Sequence, residues 1–219
     1  MTLILVIPSK KGLVMASDGQ ATTPGGIKIT YKKIHKLNDY CIWGAASDNV
    51  LLVERVEERI AALSEKDKSL QTLCSTLCDL IPGCVEELSI PQQPSQPYAA
   101  QFVFVEYRDN PRILFARENG SADWRPNTIF AIGSGVPFAQ ALLRKYQFLE
   151  KLDLELAKVL AYKIVAETIE VTEGVGPPID VWQLPPAENL TKEQLTGLED
   201  TCTGLREAEI EMFLKAVKS

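Results

Sequence analysis

No run of the 219 residues reaches the roughly 18 consecutive apolar positions that a membrane-spanning helix needs. The opening Met1-Thr2-Leu3-Ile4-Leu5-Val6-Ile7-Pro8 is too short for a secretory leader and has no basic residue ahead of it. It reads as a first strand, and the chain is expected to stay in the cytoplasm. Positive charge is scarce: 23 Lys and Arg stand against 29 Asp and Glu, a net charge of -6, which argues against nucleic acid or an anionic membrane as the main partner. Five cysteines, an odd number in a chain this long, cannot make a disulfide framework and read as packing residues in a reducing compartment. Cys74 and Cys78 lie four apart, but a metal would want further ligands, and the one histidine, His35, is far away. A glycine-rich phosphate loop, a dinucleotide fingerprint, a His-Glu-x-x-His pair and a Gly-x-Ser-x-Gly elbow are all missing. No cofactor or metal is therefore expected, and a Ser-His-Asp triad would have to use a histidine that sits in a strand-like pattern.

What is present is a chain of ordinary globular composition, 46% hydrophobic and 24% charged, long enough for one sizeable core. Thr2–Pro8 and Leu13–Ala16 form a hairpin about a Ser9–Gly12 turn, with Asp18-Gly19 closing the second strand. Strand patterns follow at Ile27–Thr30, Lys33–Leu37 and Tyr40–Trp43. Asp48 is placed to cap a helix whose apolar stripe is Val53, Val56, Ile60 and Leu63. A second helix is expected over Ser69–Leu80, stopping before Pro82-Gly83. Pro91–Pro97 reads as a surface loop. Strands resume at Gln101–Tyr107, Arg112–Arg117 and Thr128–Ala131, then helices at about Pro137–Leu149 and Leu154–Val171, then a strand at Ile179–Leu184. Helices come in pairs and not singly between strands. That order disfavours a doubly wound parallel sheet and favours an α+β four-layer αββα sandwich, two antiparallel sheets face to face with a helix pair on each outer side. Residues 1–184 are expected to make this domain. Residues 185–219 are expected to be a partly helical extension, its better helical pattern over Leu205–Val217.

With histidine and metal chemistry set aside, the remaining candidate is a nucleophile that carries its own base. Thr2 follows the initiator methionine. Once Met1 is removed, its hydroxyl and its α-amine sit on adjacent atoms, and an amine with a pKa of about 7.7–8.0 is partly neutral near pH 7. A neighbouring cation lowers that pKa further, and an acid holds the cation in place.

The neighbourhood of Thr2 is specific as a set. Thr2-Leu-Ile-Leu-Val, Gly12-Leu-Val-Met-Ala-Ser-Asp18-Gly-Gln-Ala-Thr22, Lys32-Lys33-Ile34, Gly44-Ala-Ala-Ser-Asp48 and Ala131-Ile-Gly133-Ser134-Gly135-Val-Pro-Phe-Ala-Gln140 occur in order over most of residues 2–184. Together they resemble the proteasome β-subunit family. The Asp18 and Gly133 segments look most like the HslV-type bacterial protease, and Ile179-Asp180-Val181 looks more like true proteasome β subunits. The mixture resembles the bacterial homologues that stand between the two.

The resemblance implies an N-terminal-nucleophile hydrolase, a threonine endopeptidase acting on unfolded polypeptides in a homo-oligomeric double ring. Any unfoldase would be a separate ATPase. Thr2 matches the nucleophile, Lys33 the lysine that lowers the amine pKa, Asp18 its acidic partner, Gly44 the oxyanion glycine and Ser134 the serine bonded to the amine. By the same alignment Ala21, Tyr31, Ile42 and Ala46 surround the side chain before the cut bond, an uncharged pocket with Ile42 as its floor. One turn departs from the family: in Thr172-Glu173-Gly174-Val175-Gly176, Glu173 reaches the acid's place only by a short shift, and Val175 stands where a serine is expected. The alternatives are a catalytically silent ring subunit with a structural role and a small-molecule amidase using the same nucleophile.

Overall fold

The computed structural model describes residues 2–22, 25–65, 68–89, 99–146 and 152–218. The expected Pro91–Pro97 loop lies outside them. One antiparallel sheet runs in the order β10 (Phe130–Ile132), β1 (Ile4–Ser9), β2 (Gly12–Asp18), β11 (Ile179–Leu184), β12 (Glu188–Asn189). The other runs β5 (Ile34–Asn38), β6 (Cys41–Ser47), β7 (Ala100–Tyr107), β8 (Pro111–Arg117), β9 (Ala122–Arg125). A short ribbon pairs β3 (Gln20–Thr22) with β4 (Lys28–Thr30).

Three apolar layers hold the stack together. Ile4, Val6, Leu13 and Met15 meet Ile42, Val103, Val105 and Ile113 between the sheets. Trp43, Phe102, Phe104 and Leu114 pack beneath α1 (Val50–Ala61) and α2 (Leu70–Leu88). Leu5, Ile7, Val14 and Val181 pack beneath α3 (Val136–Leu143) and α4 (Leu154–Val171). Successive strand residues thus point into two different cores, which is why β1 is an unbroken apolar run and not an alternating one. Each large side chain so buried stabilises the fold by about 1.5–3 kcal/mol. The expected four-layer αββα sandwich is the observed architecture.

Four boundaries differ from the sequence reading. The helix expected over Pro137–Leu149 ends as α3 at Leu143, followed by a single 3₁₀ turn over Arg144–Tyr146. Asn49 caps α1, its side chain accepting from Leu51 N–H at 2.9 Å. Asp48 is held on the strand instead: its N–H donates to the Ala99 carbonyl and its carboxylate accepts from Ala99 N–H, both at 3.2 Å. Helix α2 does not stop at Pro82 but runs on to Leu88. A proline removes the hydrogen bond to the carbonyl four residues back, here Cys78, and that carbonyl lies against Gly120 in the β8–β9 turn. The two weak helical patterns of the tail are one helix, α5 (Lys192–Lys218), whose first turns join the body through buried Leu198 and neighbouring Leu195.

Gly120 has φ +80°, and a Cβ there would stand 2.3 Å from the Cys78 oxygen. Gly120→Ala is expected to lose about 1–3 kcal/mol through backbone strain alone, plus the clash. The check is a urea unfolding midpoint, and an unshifted midpoint would show that the turn does not press on α2.

Candidate active site

The centre is built on the start of β1, which lies between β2 and β10. Its ladder neighbour β2 ends at Asp18, and its other neighbour β10 ends at Ile132, opposite Ile4. The chain after β10 must turn back across the head of β1. It does so through Gly133, at φ +97°, where a Cβ would stand 2.2 Å from the Thr2 carbonyl oxygen; only glycine fits. The turn then grips Thr2 twice. The Thr2 nitrogen donates to Ser134 Oγ at 3.1 Å, and the Thr2 carbonyl accepts from Gly135 N–H at 3.1 Å.

Asp18 organises the other side. Its Oδ1 accepts from Lys33 Nζ at 2.7 Å and from Leu3 N–H at 2.8 Å. Its Oδ2 accepts from Gly176 N–H at 3.2 Å and from Gln20 N–H at 3.3 Å. Both members of the ion pair are out of solvent, Lys33 at 3% exposure and Asp18 at 0%. Burial pushes the Lys33 ammonium below the ordinary lysine value, against the pull of the Asp18 carboxylate. A single carboxylate oxygen therefore joins the lysine to the residue next to Thr2.

A cleft of about 580 Å³ opens beside Thr2, bounded by Ala46, Ser47, Gln101, Gly133 and Ser134. Gly44 does not offer its N–H there. In an antiparallel strand alternate N–H groups point to opposite edges. Ala45 N–H donates to the Lys33 carbonyl at 3.2 Å, so Gly44 N–H points the other way, to β7, where Gly44 stands opposite Val103. By the same parity the next N–H on the Lys33 edge is that of Ser47, two residues beyond Ala45, and Ser47 lines the cleft.

The remaining expected residues divide. Ala46 lines the cleft. Ile42 is wholly buried between the sheets, since it shares its strand face with Gly44 and Ile4 packs across from it. Ala21 on the ribbon is half-buried. Tyr31 is half-buried too, its hydroxyl pushed up to about 12 by burial and by Glu54 and Glu57 of α1. Glu173 is exposed to solvent. Val175 is buried beside Gly135 in the core under α3 and α4. This turn's contribution to the centre is the Gly176 N–H on Asp18. His35 is buried against Trp43, its ring stacked at 4.4 Å, with Nδ1 paired to Glu57. Burial lowers its pKa, and it takes no part in the centre. Among the described residues no cluster of His, Cys, Asp and Glu is fit to hold a metal, and the five cysteines are unpaired. No helix among them is long and apolar enough to cross a membrane.

The family model described as proteasome subunit matches residues 2–183. Among solved structures, Anbu (ancestral beta-subunit) from Yersinia bercovieri superposes with a TM-score of 0.77 at 14% sequence identity, over 97% of this chain and 96% of that one. At that identity the likeness is one of fold. The comparison with curated proteins gives no match.

The donor set of Asp18 orders two substitutions. Asp18→Asn strands a buried lysine charge and sets an NH₂ group against N–H donors, a loss expected at about 3–5 kcal/mol. Lys33→Met leaves a carboxylate that keeps three backbone donors and should lose less. Thermal unfolding of the two variants checks the order, and equal losses would mean that the backbone donors contribute nothing.

Proposed function

Because the chain belongs to the proteasome subunit family, we propose that it is a threonine peptidase of the N-terminal-nucleophile type. The observation that supports this is the shared Asp18 oxygen: Lys33 Nζ and the Leu3 N–H meet on it, while Ser134 Oγ takes the Thr2 nitrogen. In the active form Thr2 is the first residue. Its Oγ attacks the peptide carbonyl carbon and its hydroxyl proton passes to its own amine. The buried Lys33 charge keeps that amine from holding a proton beforehand. Ser47 N–H donates to the oxygen that becomes negative in the tetrahedral intermediate. Collapse breaks the C–N bond as the ammonium returns its proton to the leaving amine. An ester on Thr2 Oγ remains, which water, deprotonated by the amine, then hydrolyses.

The substrate class is unfolded polypeptide, and the working particle is a homo-oligomeric double ring in the cytoplasm, served by any unfolding ATPase as a separate protein. Ala21, Tyr31 and Ala46 offer no charge to the side chain before the cut, so an apolar residue is preferred there. Burying an unpaired charge costs several kcal/mol, whereas Leu or Phe gains about 1.5–3 kcal/mol. A second reading, a silent ring subunit, is favoured by one observation: Glu173 faces solvent and Val175 fills a hydrophobic site, so the turn adds no hydroxyl or acid to Ser134.

Four measurements decide. Peptide-hydrolysing material is expected to begin at Thr2 by intact mass; full activity with Met1 attached would overturn the mechanism, since an amide nitrogen is no base. Thr2→Ala should be inactive and Lys33→Ala slower by about 10²-fold or more. Ser47→Pro, which removes the N–H together with the Oγ that accepts from Asn49 N–H, should lose about 10²–10³-fold in turnover, while Ser47→Ala, which removes only that Oγ, should keep the wild-type rate. Wild-type rates in the proline variant would remove Ser47 from the oxyanion role. A fluorogenic panel with Leu, Tyr, Arg and Glu before the cut should rank the apolar residues first, and a preference for Arg or Glu would overturn the pocket.

A further inference from the structure

Helix α5 leaves the body of the protein. Its anchors are the buried Leu198, the pair of Arg206 with Glu170, and Lys163 with Glu209 at 3.5 Å. From Thr203 to Val217 every residue is exposed. An exposed helical end of this length gains little from packing and is marginal in water alone. Yet it is not polar. Ile210 (54% exposed), Phe213 (68%), Leu214 (49%) and Val217 (68%) fall at i, i+3, i+4 and i+7, one continuous stripe. Leu205 and Met212 lie on the opposite face, so the stripe itself presents on the order of 400 Å² of apolar surface, about half of one partner's share of a standard interface.

The charges along the stripe say what covers it. Glu207, Glu211 and Lys215 form a row at four-residue spacing along one edge, acid first and base last, with Glu211 and Lys215 3.5 Å apart. Two such helices laid antiparallel meet edge to like edge, which sets Glu211 of one against Lys215 of the other about a two-fold axis near Phe213. A parallel pair would put Glu207 and Glu211 beside Glu209. We propose that α5 is a self-association surface: two copies of this chain pair their α5 ends antiparallel, burying Ile210, Phe213, Leu214 and Val217 against the same residues of the second copy. The contact is isologous and closes on itself. It lies beyond residues 2–183, so it adds to whatever contacts the family core makes, and it stands independently of the peptidase reading.

Sedimentation velocity of the full chain at micromolar concentration tests it. Wild type and Thr2→Ala are expected to sediment as the same assembly. Ile210→Asp/Phe213→Asp should fall to half that mass or less, with the melting temperature of the body kept. Glu211→Lys should weaken association by up to about fivefold, the size of an exposed ion pair, and Glu211→Lys/Lys215→Glu should restore it. An unchanged mass in the double-aspartate variant overturns the proposal, as does a charge swap that fails to restore. So does wild-type flotation with phosphatidylcholine–phosphatidylglycerol vesicles that the double-aspartate variant loses while its mass stays the same, for the stripe would then belong to lipid.

Discussion

Everything at the head of β1 is arranged around one carboxylate that water never reaches. Asp18 receives a lysine ammonium and three backbone N–H groups, from Leu3, Gln20 and Gly176. A buried charge is tolerable only when its lone pairs are filled, and here four separate segments fill them. The first strand, the β2–β3 junction, the segment before β5 and the turn before β11 are thereby fixed to one point. Three of those donors are main-chain groups, so the acid constrains the path of the chain and not only the side chain of Lys33.

The three-layer core explains why such a point can exist. Both sheets bury both faces, so the opening between their edges beside Thr2 is walled by rigid ladder on each side. The direction of the Ser47 N–H follows from where β5 begins: the strand pairs from Ile34, and Ser47 lies two residues beyond the bond from Ala45 to Lys33. The donor proposed for the cleft thus comes from the ending of a strand, with no dedicated loop.

Much of this was legible from residue order. Paired helices between antiparallel strands gave the layers, and Thr2, Asp18, Lys33 and Ser134 were marked by their segments and are brought together. What the sequence could not carry was tertiary compensation and strand parity. Pro82 is a helix stop by local rule, yet α2 continues through it, its apolar face, with Leu77, Ile81 and Cys84, buried against the second sheet. Asp48 and Asn49 are both good caps, and the choice falls to Asn49 because Ala99, far along the chain, holds Asp48. Gly44 looks like the oxyanion residue in an alignment, yet its direction depends on which neighbour bonds to Ala45. Glu173 lies near the right place in number, yet its side chain is exposed to solvent.

The double grip on Thr2 has a consequence for motion. The first residues of most domains fray, losing and regaining order on fast timescales. Here Leu3, directly after Thr2, is also hydrogen-bonded on both edges, its N–H on Asp18 and its carbonyl taking Asp18 N–H. Amide exchange at Leu3 and along β1 should therefore be as slow as at the centre of the sheet. A group held at that position has already given up its conformational freedom during folding, so bringing it to a second reactant costs no further ordering of the chain.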